Sequence, residues 1–473
     1  MSRNWTNKEL EDWGKSIEEK VEEIGLNCYP QDFIIADHYD MLTYMTFNGM
    51  PTIYPHWSWG KHYEITKTLY DYGITGLPYE LVINSNPCIA YLMKDNTLLL
   101  QILTMAHVYA HNDFFRNNFI YKSTVPSDVV SMFNRHANRI QKYIEDPSIG
   151  VGAVEKCIDS LHSIRYNCSR LPEIKEETHD KQIEKKTKKP QITDDPFADI
   201  HTKEEKAELP DMKKVPIEPI EDIMIFIRDH NPYLSEWEKD IFTIVRETTN
   251  YFLPNIHTKI MNEGWASLWH KRIIDELDLS QELYQEFLVQ HNRVVSPVPG
   301  RINPYYIGIK IWEDIFKRWD NPSNDEKDQY KIDGNGGLDK IFEVRECDRD
   351  ASFIRRFLTD ELIRELLLFT HKKNDQEDVV ITKVADENSC EHIRNSLIKS
   401  TGLESYPVIK IEDANFWGTR TLFLKHYPID EGEELDMDFA QRTLDHIAYL
   451  WQGMTILETS VKNEKRIIQS KKE

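Results

Sequence analysis

The chain has 473 residues, of which 40% are hydrophobic and 11% aromatic, with 11 Trp and 22 Tyr. That length suits two or three domains of roughly 100–200 residues each, and the composition excludes wholesale disorder. A formal net charge of −22 excludes a nucleic-acid backbone or an anionic membrane surface as the main partner, because both would repel it.

Leu10, Trp13, Ile17, Val21 and Ile24 recur at helical spacing and predict an amphipathic helix from Asn4 to Leu26. Helical texture continues over Asp32–Asn48, followed by an aromatic loop, Pro51–Gly60, a helix at Lys61–Tyr72 stopped by Gly73, and a strand at Leu77–Ile83. Asp95 and Asn96 offer N-caps for an apolar helix from Thr97 to about Asn117. Two more helices are expected at Asp128–Glu145 and Val151–Arg165. From Leu171 to Pro219 the chain is rich in Glu, Lys, Asp and Pro and nearly lacks aromatics, which predicts a charged, flexible linker.

Helical patterning resumes at Ile220, with helices predicted at Trp237–Tyr251, Asn255–Asp278, Gln281–Asn292 and Tyr306–Arg318; Pro297, Pro299 and Pro304 interrupt the series. After a Gly-rich turn at Asp333–Gly337 comes a helix near Asp350–Phe369. Strands are predicted at Val379–Ala385, Pro407–Glu412 and Thr421–Tyr427, and helices at Glu391–Ser400 and Phe439–Gly453. The expected architecture is mainly α, with a zincin-like helical core and a small C-terminal α/β unit. Its expected parts are residues 1–170, the linker 171–219, a helical region 220–335, and 336–473. The charged N-terminus and the lack of any run of about 18 apolar residues predict no signal peptide and no membrane span. Six scattered cysteines without a Cys-x-x-Cys pair are then expected to be reduced thiols of a cytoplasmic protein, not zinc ligands.

Chemistry concentrates around Ala106-His107-Val108-Tyr109-Ala110-His111-Asn112-Asp113. Residues four apart share a helix face about 5–6 Å apart, so both imidazoles can reach one metal ion. The helix follows an apolar run, Leu98–Met105, and buried histidines need partners. A third ligand is expected from Glu263 in Asn262-Glu263-Gly264-Trp265-Ala266. This layout resembles that of gluzincins, in which H-E-x-x-H is followed by N-E-x-x-A, and it implies zinc. The chain departs at Val108, where a gluzincin places its general-base Glu; Glu80 is the candidate to supply that base from another element. His291 with Tyr305 or Tyr306 are candidate oxyanion donors. Asn112, Asp113, His257 and His270 complete the expected polar cluster. The segment His56-Trp57-Ser58-Trp59-Gly60-Lys61 reads equally as a substrate platform or as packing.

Several composite blocks resemble the stage V sporulation protein R (SpoVR-like) family. They are His56–Lys61, Gly76-Leu77-Pro78-Tyr79-Glu80-Leu81-Val82-Ile83-Asn84, Asn86–Met93, His107–Phe115, Lys259–Ala266 and Ile302-Asn303-Pro304-Tyr305. The resemblance implies a cytoplasmic protein of endospore formation, required for the spore cortex, with a peptidoglycan-related substrate or cortex-assembly proteins as partners. It also implies a stress-linked regulatory role, since in bacteria that do not sporulate the family is often encoded beside a serine protein kinase and a von Willebrand-type protein. No established reaction comes with it. Three readings follow: a metal-dependent amide or peptide hydrolase, a non-catalytic regulatory or scaffold protein, and a non-haem Fe(II) oxygenase using two His and one carboxylate.

Overall fold

The computed structural model describes residues 5–72, 80–170, 181–182, 184, 214–298, 302–331, 333–373, 379–384, 389–429, 433–462 and 464–471. In chain order these begin with α1 (Asn7–Glu23), β1 (Gln31–Ala36), α2 (His38–Thr46), α3 (Trp57–Asp71), β2 (Glu80–Ile83), β3 (Cys88–Met93) and α4 (Leu98–Asn117). There follow α5 (Val129–Glu145), α6 (Val151–Ile164), α7 (Ile223–His230), α8 (Glu236–His257), α9 (Lys259–Asp275), α10 (Gln281–Val294) and α11 (Pro304–Asp320). The last part holds α12 (Asn324–Tyr330), α13 (Gly337–Cys347), α14 (Asp350–Phe357), α15 (Asp360–Glu365), β4 (Phe369–Lys373), β5 (Val379–Val384) and α16 (Cys390–Lys399). It closes with β6 (Ile409–Phe416), β7 (Thr421–His426), α17 (Met437–Trp451), β8 (Met454–Val461) and β9 (Glu464–Lys471). The chain is thus mostly helical with a small C-terminal sheet unit, as expected. The expected linker lies outside the described residues except for 181–182, 184 and 214–219, as do residues 77–79 of the expected strand before Glu80. Among the described residues no helix is long and apolar enough to cross a membrane.

Two compact units emerge, each built from two stretches of sequence: Met1–Lys142 with Asn250–Ser405, and Tyr143–Thr249 with Tyr406–Glu473. In the first unit, α4 is buried almost all round, from Leu99 to Phe115. A helix apolar on every face belongs in the middle of a core rather than at a surface. Thr97 rather than Asp95 or Asn96 caps it, its Oγ1 accepting from the Leu100 N–H at 3.3 Å. Helix α9 is buried in the same way, contributing Met261, Trp265, Ala266, Trp269, Ile273 and Ile274 to a core shared with Trp312 and Phe353. The first turn of α9 lacks a local side-chain cap at Thr258. Asp350, ninety residues away, replaces it by accepting from the N–H groups of Ile260 and Met261, both at 2.9 Å.

The three-stranded sheet of this unit has the order β1-β3-β2. Its strand β1 corrects the helical expectation for Asp32–Asn48. Gln31–Ala36 pairs in parallel with Cys88–Met93, a long-range partnership no local window registers. Helix then begins only at His38, where the Asp37 carboxylate accepts from the N–H groups of Tyr39 and Asp40 at 2.9 Å. Further boundaries differ, among them the start of α3 at Trp57, inside the expected aromatic loop Pro51–Gly60. Helix α8 runs through Pro254 and stops at His257, and the single helix expected over Asp350–Phe369 breaks at Thr359, which caps α15.

In the second unit the sheet order is β6-β7-β8-β9. Strand β8 lies parallel to β7 (Leu422↔Thr455 to Lys425↔Glu458), with α17 as the crossover between them. Its apolar face, Leu444, Ile447, Ala448 and Trp451, is buried. Strands β8 and β9 were not expected from the sequence pattern.

Candidate metal centre

His107 and His111 sit on one face of α4, their rings 4.6 Å apart at near right angles. Both are buried, His107 completely. Their Nε2 atoms point to two carboxylates from different elements. Glu80 of β2 places Oε1 3.2 Å from His107 Nε2 and 3.7 Å from His111 Nε2. Glu263 of α9 places Oε2 3.6 Å from His111 Nε2 and 4.0 Å from His107 Nε2. Glu80, His107 and His111 each offer a ligand atom within 4.8 Å of the other two.

These separations suit a shared cation. Arms of about 2.0–2.2 Å in a tetrahedral site put neighbouring donors about 3.4 Å apart, and the observed contacts lie on either side of that figure. Oε2 of Glu80 and Oε2 of Glu263 are buried without a hydrogen-bond donor. A buried, unsatisfied carboxylate oxygen is costly unless a charge answers it, and a metal ion would do so.

The other ring nitrogens are held from behind. His111 Nδ1 meets Asn262 Oδ1 at 2.9 Å. His107 Nδ1 meets His270 Nδ1 at 2.7 Å, and His270 Nε2 meets His291 Nδ1 at 2.8 Å. Such outer partners orient metal-ligating histidines.

Two opposed forces set the protonation of the centre. Burial works against the charged form of His111, but the hydrogen bond to Glu80 and the charge of Glu263 push it up to about 9. Burial, together with the neighbouring His111, His270 and His291, holds His107 well below the usual imidazole range. Burial raises the Glu80 carboxyl, with Glu263 adding to the effect and His111 opposing it.

The structure thus brings together His107, His111, Glu263, Glu80, His270 and His291. Glu80, expected to stand apart as a base, lies among the donors, and His291 contacts His270 rather than the carboxylates. Tyr305, half-buried at the start of α11, has its ring 6.4 Å from that of His107, whereas Tyr306 packs against the apolar core. Asn112 and Asp113 are engaged elsewhere. Asn112 holds the Tyr29 backbone, accepting at 2.7 Å and donating at 2.9 Å. Asp113 accepts from Arg345 at 2.6 Å, Asn27 N–H at 2.8 Å and Trp265 Nε1 at 3.0 Å. His257 lies against Gly402. Val108 is sealed in the core. In the aromatic segment, Trp59 donates to the Tyr54 carbonyl at 3.0 Å and lines an apolar groove with Tyr54, His56 and Tyr63, while Trp57 is exposed.

Sequence reasoning passed over Asn262, although it adjoins Glu263. It also gave His270 no particular partner, although a spacing of seven puts His270 two turns from Glu263 on one face of α9. That spacing was the available signal.

A mainly helical protein with two histidines and two carboxylates converging on one buried point defines a candidate metalloprotein. The chain belongs to the SpoVR-like family: the model described as "SpoVR like protein" matches residues 4–406, and "SpoVR-like C-terminal domain" matches residues 407–462. It is similar to the "Uncharacterized protein YcgB" of Escherichia coli (strain K12), at 31% identity over 482 residues, covering 96% of this chain and 92% of that protein. No solved structure matches the chain.

Proposed function

We propose that this SpoVR-family protein serves sporulation by acting in spore cortex formation, in the cytoplasm, through a zinc ion held by His107, His111, Glu263 and Glu80. The observation that carries this reading is the convergence of two imidazole Nε2 atoms and two carboxylates at 3.2–4.0 Å. The pairing of α4 with an Asn262-Glu263 helix supports a zincin-like reading of the helical core. Bound zinc lowers the pKa of a water molecule or polarises a carbonyl, which suits hydrolysis of an amide or peptide bond in a peptidoglycan-related substrate. The side chain of His107 is 0% exposed, whereas those of Glu80 and Glu263 are 11% and 21% exposed, so substrate approaches from the carboxylate side. Tyr305, its ring 6.4 Å from that of His107, is the oxyanion donor of this reading.

One observation favours the second reading, a regulatory protein with a structural metal. With Glu80 among the donors and Val108 in the core, the described site holds no carboxylate set apart as a base.

Elemental analysis of untagged protein is expected to find near-stoichiometric zinc, and His107→Ala and Glu263→Ala are each expected to lose it. Metal-free protein that takes up no zinc would overturn the reading, and iron in its place would favour the oxygenase. In a sporulating host, His107→Ala is expected to alter the cortex; a normal cortex would separate the metal from the function.

A further inference from the structure

Three buried imidazoles form a continuous string from the centre into α10: His107, His270 and His291, exposed by 0%, 1% and 6%. The string is joined at 2.7 Å from His107 Nδ1 to His270 Nδ1 and at 2.8 Å from His270 Nε2 to His291 Nδ1. The phenyl ring of Phe287 lies against the second and third members, 6.2 Å from His270 and 5.6 Å from His291.

An N···N contact of this length holds one hydrogen: two would clash, and none would set two lone pairs against each other. A neutral imidazole has one N–H and one bare nitrogen. The string therefore has two self-consistent directions, and it cannot mix them. With one hydrogen in each contact, three neutral imidazoles satisfy both contacts without an added proton.

We infer that His270 and His291 are positioning residues of the metal centre, and that a cation on His107 Nε2 selects a single direction for the whole string. This rests on the metal reading above. With Nε2 taken by the ion, the only hydrogen of His107 is on Nδ1 and is donated to His270 Nδ1. His270 then carries its hydrogen on Nε2 and donates it to His291 Nδ1, which leaves the hydrogen of His291 on Nε2. One ligand bond thus dictates three tautomers. In return the string locks the rotation of the His107 ring and strengthens its Nε2 as a donor. A residue at position 270 serves only if it accepts on one side and donates on the other; an imidazole does so, and so does a carboxamide, but an alkyl group does not.

The test uses the full chain with zinc and, separately, cobalt. In zinc-loaded protein labelled with 15N-histidine, long-range proton–nitrogen correlation is expected to show His270 and His291 as Nε2–H tautomers. His270→Leu is expected to weaken zinc binding by about 10–100-fold and to shift the visible absorption of the cobalt form. His270→Gln, which can both accept and donate, is expected to recover most of the affinity, and His291→Leu to lose less than His270→Leu. Wild-type protein that binds zinc with His270 as the Nδ1–H tautomer overturns the inference. So does a His270→Leu variant with unchanged affinity and cobalt spectrum. If His270→Leu does not fold, the wild-type tautomers decide alone. Wild-type protein that takes up no metal overturns the metal reading itself, and this inference with it.

Discussion

The backbones of α9 and α11 touch where Gly264 meets Gly308. A Cβ on Gly264 would stand 2.3 Å from the Gly308 carbonyl carbon, and one on Gly308 would stand 2.2 Å from the Ile260 carbonyl oxygen. The obstacle on each side is backbone, which cannot rotate away as a side chain can. Glu263 is the residue next to this crossing, so the approach of the two helices fixes its depth beside His111.

Gly264→Ala is therefore expected to force α9 and α11 apart. Overpacking of this kind costs about 1–3 kcal/mol, read as a lower urea midpoint, and zinc retention should fall with it. An unchanged midpoint would mean that the helices separate freely.

Arg345 and Asp113 form a buried ion pair at 2.6 Å, with side chains only 5% and 0% exposed. The pair ties α13 to α4 two residues after His111. Arg345→Met removes the cation and leaves a buried carboxylate, a change that costs about 3–5 kcal/mol in denaturant unfolding. Adding Asp113→Asn is expected to restore part of the loss, because no unpaired charge then remains. A double variant no more stable than the single one would show that the charge is not the cause.

Burial pushes Asp350 up to about 7, against the two N–H groups of α9 that favour its charged form. A carboxyl whose pKa is higher folded than unfolded contributes stability below its unfolded value, near 3.8, and loses it as pH rises to about 7. Asp350→Asn is expected to flatten unfolding stability between about pH 4 and 7. It should also lower stability overall, since one amide oxygen replaces two acceptors. A variant with the wild-type slope would assign the pH dependence to other groups.

His111, at about 9, holds a proton at neutral pH that a metal must displace. Zinc affinity is thus expected to rise with pH up to about 9 and then level off. Calorimetry in buffers of different ionisation enthalpy should show proton release on binding near pH 7. Binding without release would mean that His111 is not a ligand.

Much of this was legible in the residues themselves. The unbroken apolar run before His107 predicts a buried helix, and a spacing of four puts His107 and His111 on one face because the helix turns every 3.6 residues. The Asn262-Glu263 pair on a second helix and the long family blocks, which the SpoVR-like match bears out, were equally local. Strand β1 was not, because its partner lies fifty-seven residues on at Cys88; β8 and β9 also went unread.

By itself, then, the sequence determined the helices, the two histidines and the family, since periodicity and composite blocks are properties of neighbouring residues. Only the tertiary structure decided that Glu80 reaches His107, that Asn262 holds His111, and that His270 and His291 line up behind His107. Those contacts join α4 to residues on β2, α9 and α10, and packing between elements far apart in the chain fixes such distances.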